Sequence, residues 1–425
     1  MSKDLLQKDK TYVWHPFTQA KTAQEPLLIE SAKGAKLFSS DGKSYIDANS
    51  SWWVNVHGHG NVRIGEAISK QFQKIDHVIF ADATHETAVN LAEEVVTLLG
   101  NPFSKVFFSD NGSTAVEVAL KMAIQFWQNR GETRHRIVAL EGAYHGDTFG
   151  AMSVGQRGYF NKPFEQYFFE VDFLDFPIRD KEEEILRKAK QLFATNEVAV
   201  LIIEPLILGS AGMLMYSVDF LENLCALAKK YDVLIIFDEV MTAWGRTGKL
   251  FAFEHTTVRP DIICLSKGLT GGVLPLGLTV ATEEIFEAFL YDEKAKALLH
   301  GHSFTGNALS CAAALASIEL FKETATWENI GRIIKQHQTF AEQLATISSV
   351  KNIRQLGTII AFEVEIQGQT EGYFASIKEE IVKHMLEHGV LLRPLGNTVF
   401  LNPPYCVSDE ELGQVYTAIL GFFES

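Results

Sequence analysis

Between residues 105 and 305 the apolar positions come in short unbroken runs, with little of the alternation that marks a strand open to water on one side. The runs at 106–108, 136–140, 198–203, 233–237 and 262–265 read as strands buried on both faces of a largely parallel sheet. Between two of them Phe220, Leu224, Leu227 and Tyr231 recur at helical spacing, with Asp219 and Glu222 placed as a capping box at the start. Strand and helix in alternation predict an α/β domain whose sheet is covered on both sides. After Asn307 the pattern changes. It gives one long helical stretch through Leu344, a strand at 358–364, a helix from about Phe374 to Glu387, strands around Leu391 and Phe400, and a last helix from Ser408. These predict a large domain over 61–306 and a smaller α+β domain over 307–425.

With 425 residues the chain can bury a sizeable core. A net charge of −15 without any basic cluster argues against nucleic acid or an anionic membrane as the main partner, so an anionic ligand has to be held by local geometry. The longest apolar stretch, 198–215, is interrupted by Glu204-Pro205 and falls short of a membrane span. Residues 1–10 are charged and polar, with no secretory signal, which predicts a cytoplasmic protein. Cys225, Cys264, Cys311 and Cys406 show no metal or CxxC spacing and are expected to be buried thiols.

The chemistry concentrates where strands stop. The run 233–237 ends in Asp238-Glu239, and the run 262–265 ends in Ser266-Lys267. A strand-end carboxylate can face a ring nitrogen, and a strand-end amine can react with an aldehyde. Together these are the needs of pyridoxal phosphate. Either residue alone also has a plain reading, since parallel strands often end in Asp and a Lys before Gly can be a solvated loop residue. Gly112-Ser113 opens an apolar helical run, and such a helix start suits a phosphate, although Ser113 could equally be a simple N-cap. Tyr144, at the end of the strand 136–140, could cover a pyridine face or merely pack there. Glu204 ends the strand 198–203 and reads either as a supporting acid or as half of a structural ion pair. No GxGxxG with a downstream acid follows a strand, and the Gly245–Leu250 stretch lacks the length and final hydroxyl of a P-loop, so nucleotide readings fall away. His300 and His302 have no third ligand at suitable spacing, and no metal site is expected.

The stretches around Gly112, Tyr144, Asp238 and Lys267 resemble the class III, or omega, aminotransferases, which have the pyridoxal-phosphate fold type I. That resemblance implies a large domain with a mostly parallel sheet, a small α+β domain, and residues 1–60 packing beside the latter. It implies that Lys267 carries the cofactor, that Asp238 holds its ring nitrogen, that Tyr144 and Val240 border its two faces, and that Gly112 and Ser113 bind its phosphate. It also places Gly301 at the substrate and His302 and Ser303 at the cofactor, Ser303 serving the phosphate of the neighbouring subunit in a homodimer with shared active sites.

Trp14-His15-Pro16-Phe17 and Ser50-Ser51-Trp52-Trp53 resemble the biotin-pathway branch of that family. This implies amination of 8-amino-7-oxononanoate to 7,8-diaminononanoate. The acceptor has a long apolar chain ending in a carboxylate, for which Trp52 and Trp53 can supply wall and Arg393, by the resemblance, a bidentate cation, with Tyr144 bordering the substrate pocket. The donor is expected to be S-adenosylmethionine or lysine, because Phe17 stands where many adenosylmethionine users have Tyr. A generic omega-amino-acid or diamine aminotransferase shares every cofactor motif. An inactive binding protein of this fold would be expected to lack Asp238 or Lys267.

Overall fold

The computed structural model describes residues 2–365 and 377–424. Its centre is a seven-stranded sheet in the order Phe103–Ser109, Gly277–Thr282, Ile262–Leu265, Leu234–Asp238, Val198–Ile203, Arg136–Leu140, Asp172–Leu174. Only Gly277–Thr282 runs against its neighbours. Every residue of Val198–Ile203, Leu234–Asp238 and Ile262–Leu265 is buried, as their continuous apolar runs require when helices cover both faces.

Two strands carried no clear pattern. Gly277–Thr282 is wholly buried but half of its residues are Gly or Thr, and Asp172–Leu174 is only three residues long. The first strand also departs from expectation. Phe103–Ser109 is an edge strand, and Val106 and Phe107 are only partly buried because no strand pairs with its outer side.

Three local expectations are corrected. The helix Val218–Lys230 is capped by Ser217, whose hydroxyl accepts the Phe220 N–H at 3.0 Å, while Glu222 is drawn away to accept the Thr257 N–H at 2.6 Å. The long C-terminal helical stretch is two helices, Ala308–Phe321 and Thr324–Leu344. Their break is stabilised by Thr326 and Trp327, which donate to the carbonyls of Leu320 and Phe321. Cys225, Cys264 and Cys311 are buried, but Cys406 is exposed in the turn after Tyr405.

The C-terminal part forms a three-stranded antiparallel sheet of Val350–Leu356, Ile359–Val364 and Thr398–Leu401. A second small sheet joins Ile29–Lys33, Lys36–Ser39 and Ser44–Asp47 to Val390–Leu391, which pairs in parallel with Ser44–Asp47. The helix Ile377–Glu387 occupies the described part of the helix expected from Phe374, and residues 374–376 lie outside the described residues.

Ser44–Asp47 leads into a tight turn in which Ser50, Ser51 and Trp53 have φ of +50°, +59° and +67°. Such backbone is unfavourable for side-chain-bearing residues and persists only where surroundings hold it. Here Asp47 accepts from the Ser51 N–H and hydroxyl, Ser50 donates to the Asn402 carbonyl, and Arg246 donates to the Trp53 carbonyl. The turn delivers Trp53 to the carboxyl edge of the central sheet.

Candidate active site

Register brings the acids together at that edge. Phe237 pairs with Ile203 on one side and Asp238 with Cys264 on the other, so Asp238 lies beside Glu204, and its partner Cys264 stands three residues before Lys267. These strand ends open into a cavity of about 550 Å³ whose walls include Gly112, Ser113, Tyr144, Asp238, Lys267 and Trp53. Ligands of open α/β sheets bind at this edge.

Asp238 is 4% exposed. One carboxylate oxygen accepts the Val240 N–H at 3.0 Å, and the other lies 2.7 Å from Nδ1 of His145. A carboxylate only accepts, so that imidazole nitrogen is the donor. His145 is itself buried, and its Nε2 has no protein partner. Lys267 follows Ser266 into a left-handed turn with φ +48°. Its Nζ sits 4.7 Å from the centre of the Trp53 ring. Burial lowers the amine to about 8, an effect that Asp238 and Glu204 partly offset and the cation of Arg246 reinforces. At pH 7 the neutral fraction is roughly two to three decades above that of an ordinary lysine. Glu204 accepts the N–H groups of Tyr144 and Gly209, and burial raises its carboxyl to about 7.

The third wall is a helix start. Gly112–Asn129 is an 18-residue helix capped by Asn111, which forms a capping box with Thr114. The cap is Asn111, so Ser113 lies inside the first turn and its simple reading as the N-cap is excluded. A side chain at 112 would place Cβ 2.6 Å from Cγ1 of Val240, so only glycine lets this helix start approach the strand that carries Asp238.

Residues 18–422 match the family described as Aminotransferase class-III. The chain is 46% identical to the adenosylmethionine-8-amino-7-oxononanoate aminotransferase of Synechococcus elongatus over 96% of its own length and 97% of that protein. It is 37% identical to the enzyme of that name from Aquifex aeolicus, covering 97% and 95%. The chain belongs to the class III aminotransferases. The crystal structure of the Methanocaldococcus jannaschii adenosylmethionine-8-amino-7-oxononanoate aminotransferase superposes with a TM-score of 0.93 at 36% identity, covering 99% of both chains. A pyridoxal-phosphate-bound amine transaminase from an uncultivated Pseudomonas species superposes at 0.91 with 28% identity, over 97% of this chain and 98% of that one. As a class III aminotransferase this chain is a pyridoxal-phosphate-dependent transaminase, and its fold is the fold type I architecture expected from its sequence.

The cavity fits that cofactor on its own chemistry. A buried carboxylate, a buried amine and the N-terminus of a long helix face one space, complementing in turn a pyridinium, an aldehyde and a phosphate. Of the residues singled out in the sequence, Gly112, Ser113, Tyr144, Glu204, Asp238, Val240, Lys267 and Trp53 line it. Phe17, Trp52 and Arg393 form a separate cluster outside its lining. The Trp52 ring centre lies 5.6 Å from that of Phe17, and the Arg393 guanidinium sits 4.4 Å from the Trp52 ring centre. Gly301, His302 and Ser303 are absent from the cavity of their own chain, and the Ser303 carbonyl lies 2.5 Å from Nε2 of His77. One further residue of the site, His145, is not singled out by the sequence, which points to its neighbour Tyr144. His145 lies in the loop after Arg136–Leu140 and lines the cavity together with Tyr144, and strand alternation, which ends at Leu140, gives no signal for it.

Proposed function

We propose that this transaminase aminates 8-amino-7-oxononanoate to 7,8-diaminononanoate, the reaction named for its relatives, with S-adenosylmethionine or lysine as donor. The observation that carries the substrate reading is the Arg393–Trp52–Phe17 cluster. Among the described residues no carboxylate pairs with Arg393, whose guanidinium lies over an aromatic ring. An apolar chain ending in a carboxylate matches such a surface.

Bound pyridoxal phosphate supplies an aldehyde for the amine and a ring that spreads the charge left when a substrate carbon loses its proton. Lys267 is the residue that would carry the aldehyde, and its lowered basicity suits both attack and proton transfer. Asp238, steadied by His145, would hold the ring nitrogen in its protonated form. Gly112 and Ser113 would hold the phosphate with backbone N–H groups at the helix start. Tyr144 donates its hydroxyl to Asp147 at 2.8 Å, and Tyr144 and Val240, both lining the cavity, would border the two faces of the cofactor ring. Freed from the cofactor, the Lys267 amine would move a proton from the donor carbon to the cofactor's aldehyde-derived carbon in the first half-reaction, and from that carbon to the former ketone carbon of the acceptor in the second.

We further assign 61–306 to the cofactor domain and 307–425 to the small domain, with 1–60 packed beside the latter. The assembly proposed is a cytoplasmic homodimer in which Gly301, His302 and Ser303 of one protomer face the site of its partner. Purified protein supplied with pyridoxal phosphate, 8-amino-7-oxononanoate and either donor should form 7,8-diaminononanoate. Turnover of omega-amino acids or diamines alone would favour the generic reading instead.

A further inference from the structure

The loop that carries Tyr144 and His145 into the cavity is held from behind by one carboxylate. Glu117 stands one turn beyond Ser113 on the helix Gly112–Asn129. A single oxygen of Glu117 accepts the Thr148 hydroxyl at 2.5 Å, the Gly150 N–H at 2.7 Å and the Ala151 N–H at 3.1 Å. Those last two N–H groups open the short helix Phe149–Ser153, whose own N-cap, Thr148, makes no side-chain capping bond. Glu117 therefore satisfies from another element donors that would otherwise be orphaned. One turn earlier, the Ser113 hydroxyl accepts the Asp147 N–H at 3.2 Å.

Both grips depend on glycine. A Cβ on Gly146 would lie 2.0 Å from the Ser113 hydroxyl oxygen, and Gly146 has φ +126°, which residues with side chains rarely adopt. A Cβ on Gly150 would lie 2.2 Å from the second oxygen of Glu117. Residues spaced four apart on one helix face thus press the segment 146–151 flat against the helix whose start faces the cavity. Residues 141–145 are thus tethered at one end by the strand Arg136–Leu140 and at the other by the two grips, while Tyr144 and His145 bond forward to Glu204 and Asp238.

We propose that Glu117 is a positioning residue for the transamination site: it sets the placement of Tyr144 and of the His145–Asp238 pair while touching neither substrate nor cofactor. The inference rests on the function proposed above only for its kinetic readout. Its direct readout is hydrogen exchange.

The test compares the holoenzyme with Glu117→Ala, Glu117→Gln and Thr148→Val. Glu117→Ala should speed amide exchange in peptides covering 144–152 and leave the rest of the sheet domain protected. It should also shift the absorption band of the bound cofactor, because His145 no longer fixes Asp238, and lower kcat/KM by roughly tenfold to a hundredfold. Glu117→Gln keeps an accepting oxygen and should recover protection, band position and most of the rate. Thr148→Val removes one of the three bonds and should give a smaller change of the same kind, so the idea remains testable if the alanine variant does not fold. Unchanged exchange and spectrum in Glu117→Ala, or in Thr148→Val if only that variant folds, overturns the proposal, as does a loss that Glu117→Gln fails to rescue. Were the native protein inactive on 8-amino-7-oxononanoate while Glu117→Ala still loosened the loop, the substrate reading would fall and the positioning role would stand.

Discussion

Lys267 must be a nucleophile while sitting near two acids, and these demands oppose each other. Asp238 and Glu204 favour its charged form, whereas burial disfavours it, and burial wins by enough to bring the amine from 10.5 to about 8. A neutral amine is the reactive one, so the rate at which cofactor-free protein takes up pyridoxal phosphate should climb as pH rises through about 8 and then level. A limb still rising near the ordinary lysine value would contradict this. Lys267→Ala should abolish turnover, and borohydride reduction of the native holoenzyme followed by peptide mapping should find the label on Lys267 alone. Arg393→Ala removes the cation that would hold the far carboxylate. It should raise the acceptor KM by about one to two decades and leave the donor half-reaction unchanged in stopped-flow. Equal losses in both halves would make Arg393 a structural residue.

At the scale of elements, the strand ending in Asp238 is locked to the loop beyond it by the next residue. Glu239 is fully buried and accepts from the Ala252 and Phe253 N–H groups and the Thr242 hydroxyl. Burial raises its carboxyl to about 7 even so. A carboxyl whose folded value exceeds its unfolded one weakens the fold as it ionises. The cost is absent below about 4.5 and complete above about 7. Glu239→Gln keeps the accepting oxygen and has no proton to lose, so its Tm relative to the native protein should increase from pH 4.5 to 7, by an amount on the order of 1–3 kcal/mol in stability. A constant difference across that window would show that Glu239 stays ionised throughout.

The same scale explains what could be read in advance. Strands buried on both faces announce themselves by unbroken apolar runs, and their terminal Asp238 and Lys267 were visible for that reason. Gly277–Thr282 was not, because its Thr279 is buried by donating to the Ala115 carbonyl, a contact no local pattern reveals. The cap at Ser217 was missed for a similar reason: Glu222 is engaged by Thr257, thirty-five residues on. His145 and Glu117 belong to the site through partners ninety-three and about thirty residues away, so their neighbours in sequence say little about them.

For the whole molecule, Gly301, His302 and Ser303 do not line the cavity of their own chain, and in the proposed shared site they would face the partner's cavity instead. Mixed dimers made from Lys267→Ala chains and Ser303→Ala chains should regain activity, since one of the two sites would then be intact. Fully inactive heterodimers built from folded chains would rule out sharing through Ser303. The choice of donor belongs to the same scale, where Phe17 packs at a tilt against Trp52 and edge-to-face with Phe160. If Phe17 borders the donor, Phe17→Tyr should improve amine transfer from S-adenosylmethionine relative to lysine. An unchanged ratio of the two rates would make Phe17 simple packing. In the proposed function the Lys267 cavity and the Arg393–Trp52 cluster together select a long keto acid. The most direct test is a single-turnover measurement on enzyme already carrying the amine, comparing 8-amino-7-oxononanoate with its analogue lacking the terminal carboxylate. Transfer to the first should be fast, and the second should show an apparent affinity weaker by about one to two decades. Equal affinities for the two acceptors would contradict that selection.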